Sequence, residues 1–203
     1  MIDAEKQMLD RLKRALLGVC FWMGHRRSLY RGYPLGEAAI VAELCNLLFA
    51  NLPEGMKLLC EVRYSMIAQI VDTEPPFLAR SRIDLCVCGP MHKGEKPLDN
   101  VAFALEVKRG GACAASIDDD LRRLAQPKKA RPGIRAFFLL ISEYRRPERF
   151  VTDKSLAMKG RLEIKDTDAY CMVRAVMKAV QMVKKLDNAH YGCAIEVLLP
   201  TKA

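Results

Sequence analysis

Charged side chains inside two apolar runs constrain this chain more than any other feature of its sequence. Residues 82–88 and 101–108 are almost continuous runs of apolar, often branched side chains, which predict strands buried on both faces of a sheet. Asp84 lies inside the first run, and Glu106 and Lys108 lie inside the second. A buried charge costs several kcal/mol unless it is paired, binds a metal or belongs to a functional site. These three residues therefore need an explanation.

The alternation of side chains along a strand brings the two charges of the second run together. Glu106 and Lys108 fall on the same face, roughly 6.5–7 Å apart along the strand. If the two strands are neighbours, Asp84 joins them at one end of the sheet. Two carboxylates and an ammonium in that position are suited to a divalent-metal hydrolytic centre. The structural alternative is an ion pair of Lys108 with Asp84 or Glu106 that closes the end of the sheet.

Hydrophobic periodicity and turn signals predict the remaining elements. Apolar residues at helical spacing predict a first helix over residues 3–23, which ends at Gly24, and a second helix over about 36–50. The other predicted elements are a strand over 57–70, a hairpin loop over 89–100, a helix over about 116–126, a strand over 134–142, an irregular basic stretch over 143–165, a helix over 166–186 and a strand over 190–199. This alternation predicts one α/β domain in which helices flank a mixed central sheet.

Two glutamates of the second predicted helix are candidates for the same site. Glu37 falls on the apolar stripe near the helix start, and Glu43 falls beside that stripe. One interpretation of Glu37 is a first-turn acid that stabilises the helix dipole at the protein surface. The other is a carboxylate that reaches the site formed by the two strands.

Other charged residues receive structural interpretations. Ser116 with Asp119 resembles a capping box, and the run 118–120 of three aspartates is interpreted as a complement to the helix dipole rather than a metal cluster. Glu61 and Arg63 share one face of a predicted strand, where a cross-strand charge pair is the simplest explanation.

The composition limits the kind of protein this chain encodes. The net charge of +9 is compatible with a polyanionic partner. The eight cysteines include no CxxC pair and lie mostly in apolar runs, which favours free thiols in a reducing compartment. No apolar stretch reaches the roughly 18 residues of a membrane span. We therefore expect a cytoplasmic protein that does not enter a membrane.

The order helix, three strands, helix, strand, with Asp84 followed by the triplet Glu106-Val107-Lys108, resembles the PD-(D/E)xK nuclease superfamily. Restriction endonucleases, Holliday-junction resolvases and phage-type exonucleases belong to this superfamily. The resemblance covers about residues 36–142 and implies a restriction-endonuclease-like αβββαβ core. An N-terminal helix and a C-terminal helix–strand extension over 143–203 would complete a single domain of residues 1–203. Ile83 stands where the family name has proline, a residue that takes no chemical part.

The resemblance also implies a mechanism. Asp84 and Glu106 would hold Mg²⁺ or Mn²⁺, with the carbonyl oxygen of Val107 as a further ligand. Lys108 would orient or help to deprotonate the attacking water and stabilise charge on the phosphate. Glu37 matches the helix carboxylate that some branches of the superfamily use at the metal or its water.

These observations predict a metal-dependent nuclease that hydrolyses phosphodiester bonds in DNA, with RNA as a further substrate class. The alternative is a catalytically inactive nuclease fold that binds nucleic acid or protein in a phage or defence system. A homodimer is compatible with the sequence, which does not decide the oligomeric state. For the loop over 25–36, a solvated connection competes with a phosphate-contacting role. The basic residues expected to contact nucleic acid are Arg26, Arg27, Arg31, Arg109, Arg122, Lys128, Lys129, Arg145 and Arg146.

Overall fold

The protein is an α/β sandwich in which helices cover both faces of one mixed sheet. The structure is a computed structural model that describes residues 2–29, 35–68, 81–91, 94–180 and 189–200. The helices of these residues are α1 (Ile2–Leu29), α2 (Glu37–Phe49), α3 (Tyr64–Ala68) and α4 (Ala114–Ala130), with a 3-10 turn at Pro97–Asn100. The strands are β1 (Lys57–Arg63), β2 (Arg82–Cys88), β3 (Val101–Arg109), β4 (Arg135–Ser142), β5 (Leu162–Glu163), β6 (Tyr170–Val180) and β7 (Ala189–Leu198).

The seven strands form one sheet in the order β1-β2-β3-β4-β7-β6-β5. β3 and β4 are parallel, and α4 makes the crossover between them, whereas all other neighbouring strands are antiparallel. The strands after residue 143 thus extend the same sheet. This topology puts the carboxyl ends of β3 and β4 beside the amino ends of β2 and β7.

Two hydrophobic clusters fill the space between the sheet and its two helical layers. Leu85, Leu105 and Phe137 face α1 and α2, whereas Cys86, Ala104 and Phe138 face α3 and α4. The central strands are buried on both faces, which explains their near-continuous apolar sequences. Any charged side chain on β2 or β3 must therefore lie at a strand end or inside the core.

A close approach between β3 and β4 shapes the end of the sheet that contains Lys108. The backbone N–H of Gly110 donates to the carbonyl of Ile141 at 2.5 Å. A Cβ atom at Gly110 would lie 2.4 Å from Ser142 Oγ and 2.7 Å from Ser142 Cα, so only glycine fits this contact. The tight turn leads the chain directly from β3 into α4.

The predicted helix over 166–186 is wrong, because residues 170–180 form strand β6. A register shift between Val173 and Ala175 interrupts its pairing with β7 and changes which side chains face each helical layer. Val173 and Val176 consequently face the same cluster although they are three residues apart. The bulge gives a strand an apolar spacing that resembles that of a helix. Residues 181–188 lie outside the described part of the chain.

The first predicted helix was placed too short. α1 continues through Gly24 to Leu29, so Arg26 lies on a helix rather than in a loop. A Cβ at Gly24 would lie 3.5 Å from the ring of His190, an ordinary van der Waals distance, so α1 passes next to β7 at this residue.

Two further boundaries differ from the prediction. The predicted strand over 57–70 ends at Arg63, and the short helix α3 follows it directly. α4 begins at Ala114 with Cys113 as its N-cap, so the predicted capping box at Ser116 is wrong. It also continues to Ala130, beyond the predicted end near residue 126, with Pro127 inside it.

Other global features concern membranes and cysteines. Within the described ranges, no helix is long and apolar enough to cross a membrane. All eight cysteines are free thiols, as their sequence pattern predicts.

Candidate active site

Asp84 and Glu106 lie on neighbouring strands, as the sequence predicts. β2 and β3 pair through Leu85 and Leu105, and one step further in the same register Asp84 stands opposite Glu106. The carboxylate of Asp84 also accepts the backbone N–H of Val107 at 2.6 Å. This hydrogen bond fixes the Asp84 side chain against the end of β3.

The environment of Asp84 opposes its ionisation. The pKa of this carboxyl is raised to about 6, first by burial and then by the negative charges of Glu61 and Glu37. The N–H of Val107 and the ammonium of Lys108 act in the opposite direction, because both stabilise the carboxylate. An additional positive charge nearby would therefore stabilise the ionised form of Asp84.

Glu106 is more deeply buried, with 7% of the residue exposed. Its pKa is raised to about 8, mainly by burial and secondly by the neighbouring Asp84 carboxylate. Arg123, the Tyr64 hydroxyl and Lys108 lower the pKa, in that order of effect. Each of the two facing carboxyl groups, when ionised, thus disfavours ionisation of the other.

Lys108 lies close to acids from both helical layers. Its Nζ atom is 3.1 Å from Asp120 Oδ2 on α4 and 3.7 Å from Glu37 Oε1 on α2, and its side chain is 18% exposed. Within the described residues, its ion pairs are with these two acids rather than with Asp84 or Glu106. The structural alternative considered for the sequence, a direct pair with one of the strand carboxylates, is not present.

Glu37 joins the site from the opposite face of the sheet. It is the first residue of α2, and its Oε2 atom accepts the backbone N–H of Arg109 at 3.0 Å. Together with its approach to Lys108, this contact fixes the start of α2 over the end of β3. Glu37, rather than Glu43, is thus the helix carboxylate that contacts the residues of the strand end.

Asp120 is a site residue that the sequence interpretation missed. It is 1% exposed, and its carboxylate accepts a hydrogen bond from Arg123 as well as approaching Lys108. Its interpretation as a surface complement to the helix dipole is wrong, because α4 begins six residues earlier and turns this side chain inward. The signal was present in the sequence: Asp120 precedes the core residue Leu124 by four positions and so shares its helix face.

Arg123 connects Asp120 to the strand carboxylates. Its NH2 group is hydrogen-bonded to Asp120 Oδ1 and lies 3.6 Å from Glu106 Oε1. The cation thus lies between one buried acid of α4 and one of β3. Spacing of three residues on one helix placed Asp120 and Arg123 side by side, but the sequence alone did not show that they point toward the sheet.

Tyr64 and Glu61 complete the surroundings of the two carboxyl groups. The buried hydroxyl of Tyr64 donates to Glu106 Oε2 at 3.1 Å, and the pKa of this phenol is raised well above its usual value by burial. Glu61 is exposed, stands opposite Asp84 in the register of β1 and β2, and has a φ of 55°. Across to β2, Glu61 faces the like-charged Asp84 and Arg63 faces Arg82, and neither forms an ion pair within the described part of the chain, so the predicted cross-strand charge pair is wrong.

Several of the predicted nucleic-acid contacts surround this end of the sheet. Arg109 pairs with Glu143 at 3.5 Å, and Arg146 contacts Glu148 and the carbonyl of Val151. Arg145 is exposed and, with Gly110, Ser142 and Phe150, lines a cavity of about 280 Å³ that adjoins the turn after β3.

The remaining basic residues are distributed over other parts of the molecule. The guanidinium of Arg26 lies 5.6 Å from the ring of Trp22. Arg122 forms ion pairs with two exposed aspartates, Asp119 and Asp166. The side chain of Arg27 and the whole of Arg31 fall outside the described residues.

Lys128 and Lys129, which the sequence assigns to nucleic-acid contacts, do not lie beside this site. Lys128 donates to the carbonyls of Pro132 and Ile134, so it caps the end of α4 near the start of β4. Lys129 pairs with Asp168, which precedes β6. Both lysines therefore lie at the opposite end of the sheet from Lys108.

Scans against protein-family models, curated proteins and solved structures each returned no match to this chain. Among the described residues, no group of three or more histidine, cysteine, aspartate or glutamate side chains is arranged to hold a metal ion. The side chains at the ends of β2 and β3 are therefore the basis for the chemistry of this site.

Proposed function

We propose that this protein is a divalent-metal-dependent nuclease of the PD-(D/E)xK type that hydrolyses phosphodiester bonds in DNA. The observation that carries the proposal is the juxtaposition of Asp84 and Glu106, two acids with raised pKa values, beside the ammonium of Lys108. Such an arrangement costs folding free energy, and perturbed ionisable groups of this kind concentrate at functional sites. The element order α2, β1, α3, β2, β3, α4 and β4, which is a helix, three strands, a helix and a strand with the short α3 inserted, adds support from the fold.

The two facing carboxyl groups fit a hard cation such as Mg²⁺ or Mn²⁺. Carboxylate oxygens are the ligands these ions prefer, and Mg²⁺ commonly needs only one or two protein carboxylates because it keeps several waters. Burial and mutual repulsion hold Asp84 and Glu106 above their usual pKa values, and a cation shared by both would relieve this repulsion. Asp84 and Glu106 would therefore hold the ion, with the carbonyl of Val107 and a water-mediated contact from Glu37 as further ligands.

When bound, the ion supplies positive charge for a nonbridging phosphate oxygen and lowers the pKa of a water molecule. The chain's own residues supply the remaining functions. Lys108 orients the attacking water by hydrogen bonding and stabilises the negative charge that grows on the phosphate. Tyr64 and Arg123 hold the Glu106 carboxylate in one orientation.

The proposed substrate is DNA, in keeping with the net charge of +9. Arg145 is exposed beside the strand end and is the basic residue best suited to a phosphate next to the cleaved bond. The ion pairs of Arg109, Arg122 and Arg146 would have to open, or stay at the margin of the contact, when DNA binds.

A second candidate function is nucleic-acid or protein binding without catalysis. One observation favours it: both oxygens of Glu106 already face protein donors, the Tyr64 hydroxyl at 3.1 Å and the Arg123 guanidinium at 3.6 Å. In that case the buried acids would form a structural network, and the protein would bind its partner without needing a divalent ion.

Cleavage assays separate the two functions. Purified protein is incubated with supercoiled plasmid, linear duplex DNA and single-stranded RNA in the presence of Mg²⁺, Mn²⁺ or a chelator. The proposal predicts cleavage of DNA that requires the metal and is abolished in an Asp84→Ala, Glu106→Ala double variant. Binding of DNA without cleavage under all conditions would favour the second function, and cleavage confined to RNA would change the substrate class.

A further inference from the structure

Asp120 is a buried charge whose role the proposed function does not yet include. Its carboxylate is 1% exposed and lies between two cations, Lys108 on β3 and Arg123 on the same helix. Removing a carboxylate from water is costly even when it is paired, so buried ion pairs are weak contributors to stability. The geometry therefore calls for a function of this side chain beyond holding α4 to the sheet.

We propose that Asp120 is a positioning residue that holds the Lys108 ammonium away from Asp84 and Glu106 and so leaves those carboxylates free to bind a metal ion. This inference rests on the proposed function, because it concerns the same strand end. Asp120 reaches the substrate only through Lys108.

The Lys108 side chain is long enough to reach acids in two directions. Lys108 and Glu106 alternate on one face of β3, roughly 6.5–7 Å apart along the strand, and Asp84 stands next to Glu106. A flexible lysine at this position can direct its ammonium either toward these carboxylates or toward α4. With Asp120 Oδ2 at 3.1 Å, the ammonium is directed toward α4.

An ammonium group and a metal ion compete for the same carboxylate lone pairs. An ammonium hydrogen-bonded to a carboxylate oxygen occupies an electron pair that a metal ion would need. If Asp120 were neutral, Lys108 would lose its nearest acid, and its other partner, Glu37, lies further away at 3.7 Å. The ammonium would then move toward Glu106 and Asp84, whose charges attract it.

Arg123 makes the positioning more rigid. It is hydrogen-bonded to one oxygen of Asp120 while Lys108 lies next to the other, so the carboxylate has one defined orientation. Arg123 also approaches Glu106 Oε1 at 3.6 Å. The loss of Asp120 would therefore release two cations beside Glu106.

Titration of the full-length protein with Mn²⁺ by calorimetry tests this inference. Asp120→Asn should weaken Mn²⁺ binding about tenfold, within the range of coupling seen between residues in direct contact. The matched control is Asp119→Asn, which removes the same charge from the preceding residue, whose side chain is 53% exposed and pairs with Arg122. The control should bind Mn²⁺ within about twofold of the parent, as expected for an exposed pair.

A double-mutant cycle distinguishes positioning from a merely structural role. In a Lys108→Met background there is no lysine ammonium to compete and only Arg123 is released, so Asp120→Asn should weaken Mn²⁺ binding by about threefold or less instead of about tenfold. An equal loss with and without Lys108 would overturn the inference, because Asp120 would then act independently of the lysine.

A second variant keeps the test valid if Asp120→Asn does not fold. Asp120→Glu retains the buried charge but moves the carboxylate, so Mn²⁺ affinity should stay within about threefold while single-turnover cleavage falls at least about tenfold. Cleavage at the parent rate would overturn the inference. If the parent neither binds Mn²⁺ nor cleaves DNA, the proposed function fails and the inference fails with it. If the parent does both and Asp120→Asn behaves like Asp119→Asn, the inference alone fails.

Discussion

The raised pKa of Glu106 predicts a specific change of stability with pH. The carboxyl of Glu106 has a pKa of about 8 in the folded protein, against 4.5 for an ordinary glutamate. Between these values the unfolded chain has lost the proton that the folded protein still binds, so the free energy of unfolding should fall as pH rises. Glu106→Gln cannot ionise and should therefore lose this part of the pH dependence.

The structure gives the size of the effect. A tenfold change in proton affinity is worth about 1.4 kcal/mol, so the full rise of the pKa from 4.5 to about 8 corresponds to about 5 kcal/mol of unfolding free energy. At most about 4 kcal/mol of this falls between pH 5 and pH 9. Water that enters around the ionised carboxylate lowers this cost, and we expect about 2–4 kcal/mol. The amide of Gln can still accept the hydrogen bond that Tyr64 donates to Glu106.

Urea unfolding without added metal, followed by circular dichroism from pH 5 to pH 9, measures the difference. Over this range the parent should lose about 2–4 kcal/mol more than Glu106→Gln, which retains mainly the decline caused by Asp84 up to about pH 6. Glu163→Gln, which changes an exposed acid of β5, is the matched control and should follow the parent. Parallel pH profiles of the parent and Glu106→Gln between pH 6 and pH 9 would refute the reasoning.

Three further predictions concern residues around the same strand end. Lys108→Ala should bind Mn²⁺ with little loss but reduce single-turnover cleavage at least about 100-fold, and Lys108→Arg should not restore it, because a guanidinium is wider and stays protonated; parent-like cleavage by Lys108→Ala would contradict its role. Glu61→Gln should lower the pKa of Asp84 and weaken Mn²⁺ binding about threefold, as expected for an exposed charge, and calorimetry would detect it. DNA binding should weaken steeply with salt, and Arg145→Ala should reduce the slope of log K against log[salt] by about one while Lys129→Ala leaves it unchanged. Equal slopes for these two variants would count against the position assigned to the DNA.

The two strand carboxylates could be located from the sequence because their signal is local. A charge within a run of buried residues is costly, and period-two alternation fixes its face, so Asp84, Glu106 and Lys108 stood out without any structural information. The adjacency of β2 and β3 followed from the hairpin loop between them. Glu37 was recognisable because it interrupts the apolar face of α2.

The residues that the sequence did not reveal depend on tertiary context. Asp120 was hidden in a run of three aspartates, and such runs usually mark an exposed helix start. Tyr64 reaches Glu106 only because β1 ends at Arg63 and a helical turn follows, a boundary that the continuous apolar pattern concealed. In β6, the bulge at Val173–Ala175 shifted the alternation of side chains, so a strand showed helical spacing.

We infer that Asp84 and Glu106 together hold a divalent metal ion. The most direct test is an anomalous-difference map from crystals of the protein soaked in Mn²⁺, compared with crystals of the Asp84→Asn, Glu106→Gln double variant treated in the same way. One strong peak is expected within coordination distance, roughly 2.0–2.3 Å, of oxygens from both carboxylates in the parent, and none there in the variant. Full occupancy of a Mn²⁺ ion elsewhere, with no peak between these two side chains, would show that this pair does not hold the ion.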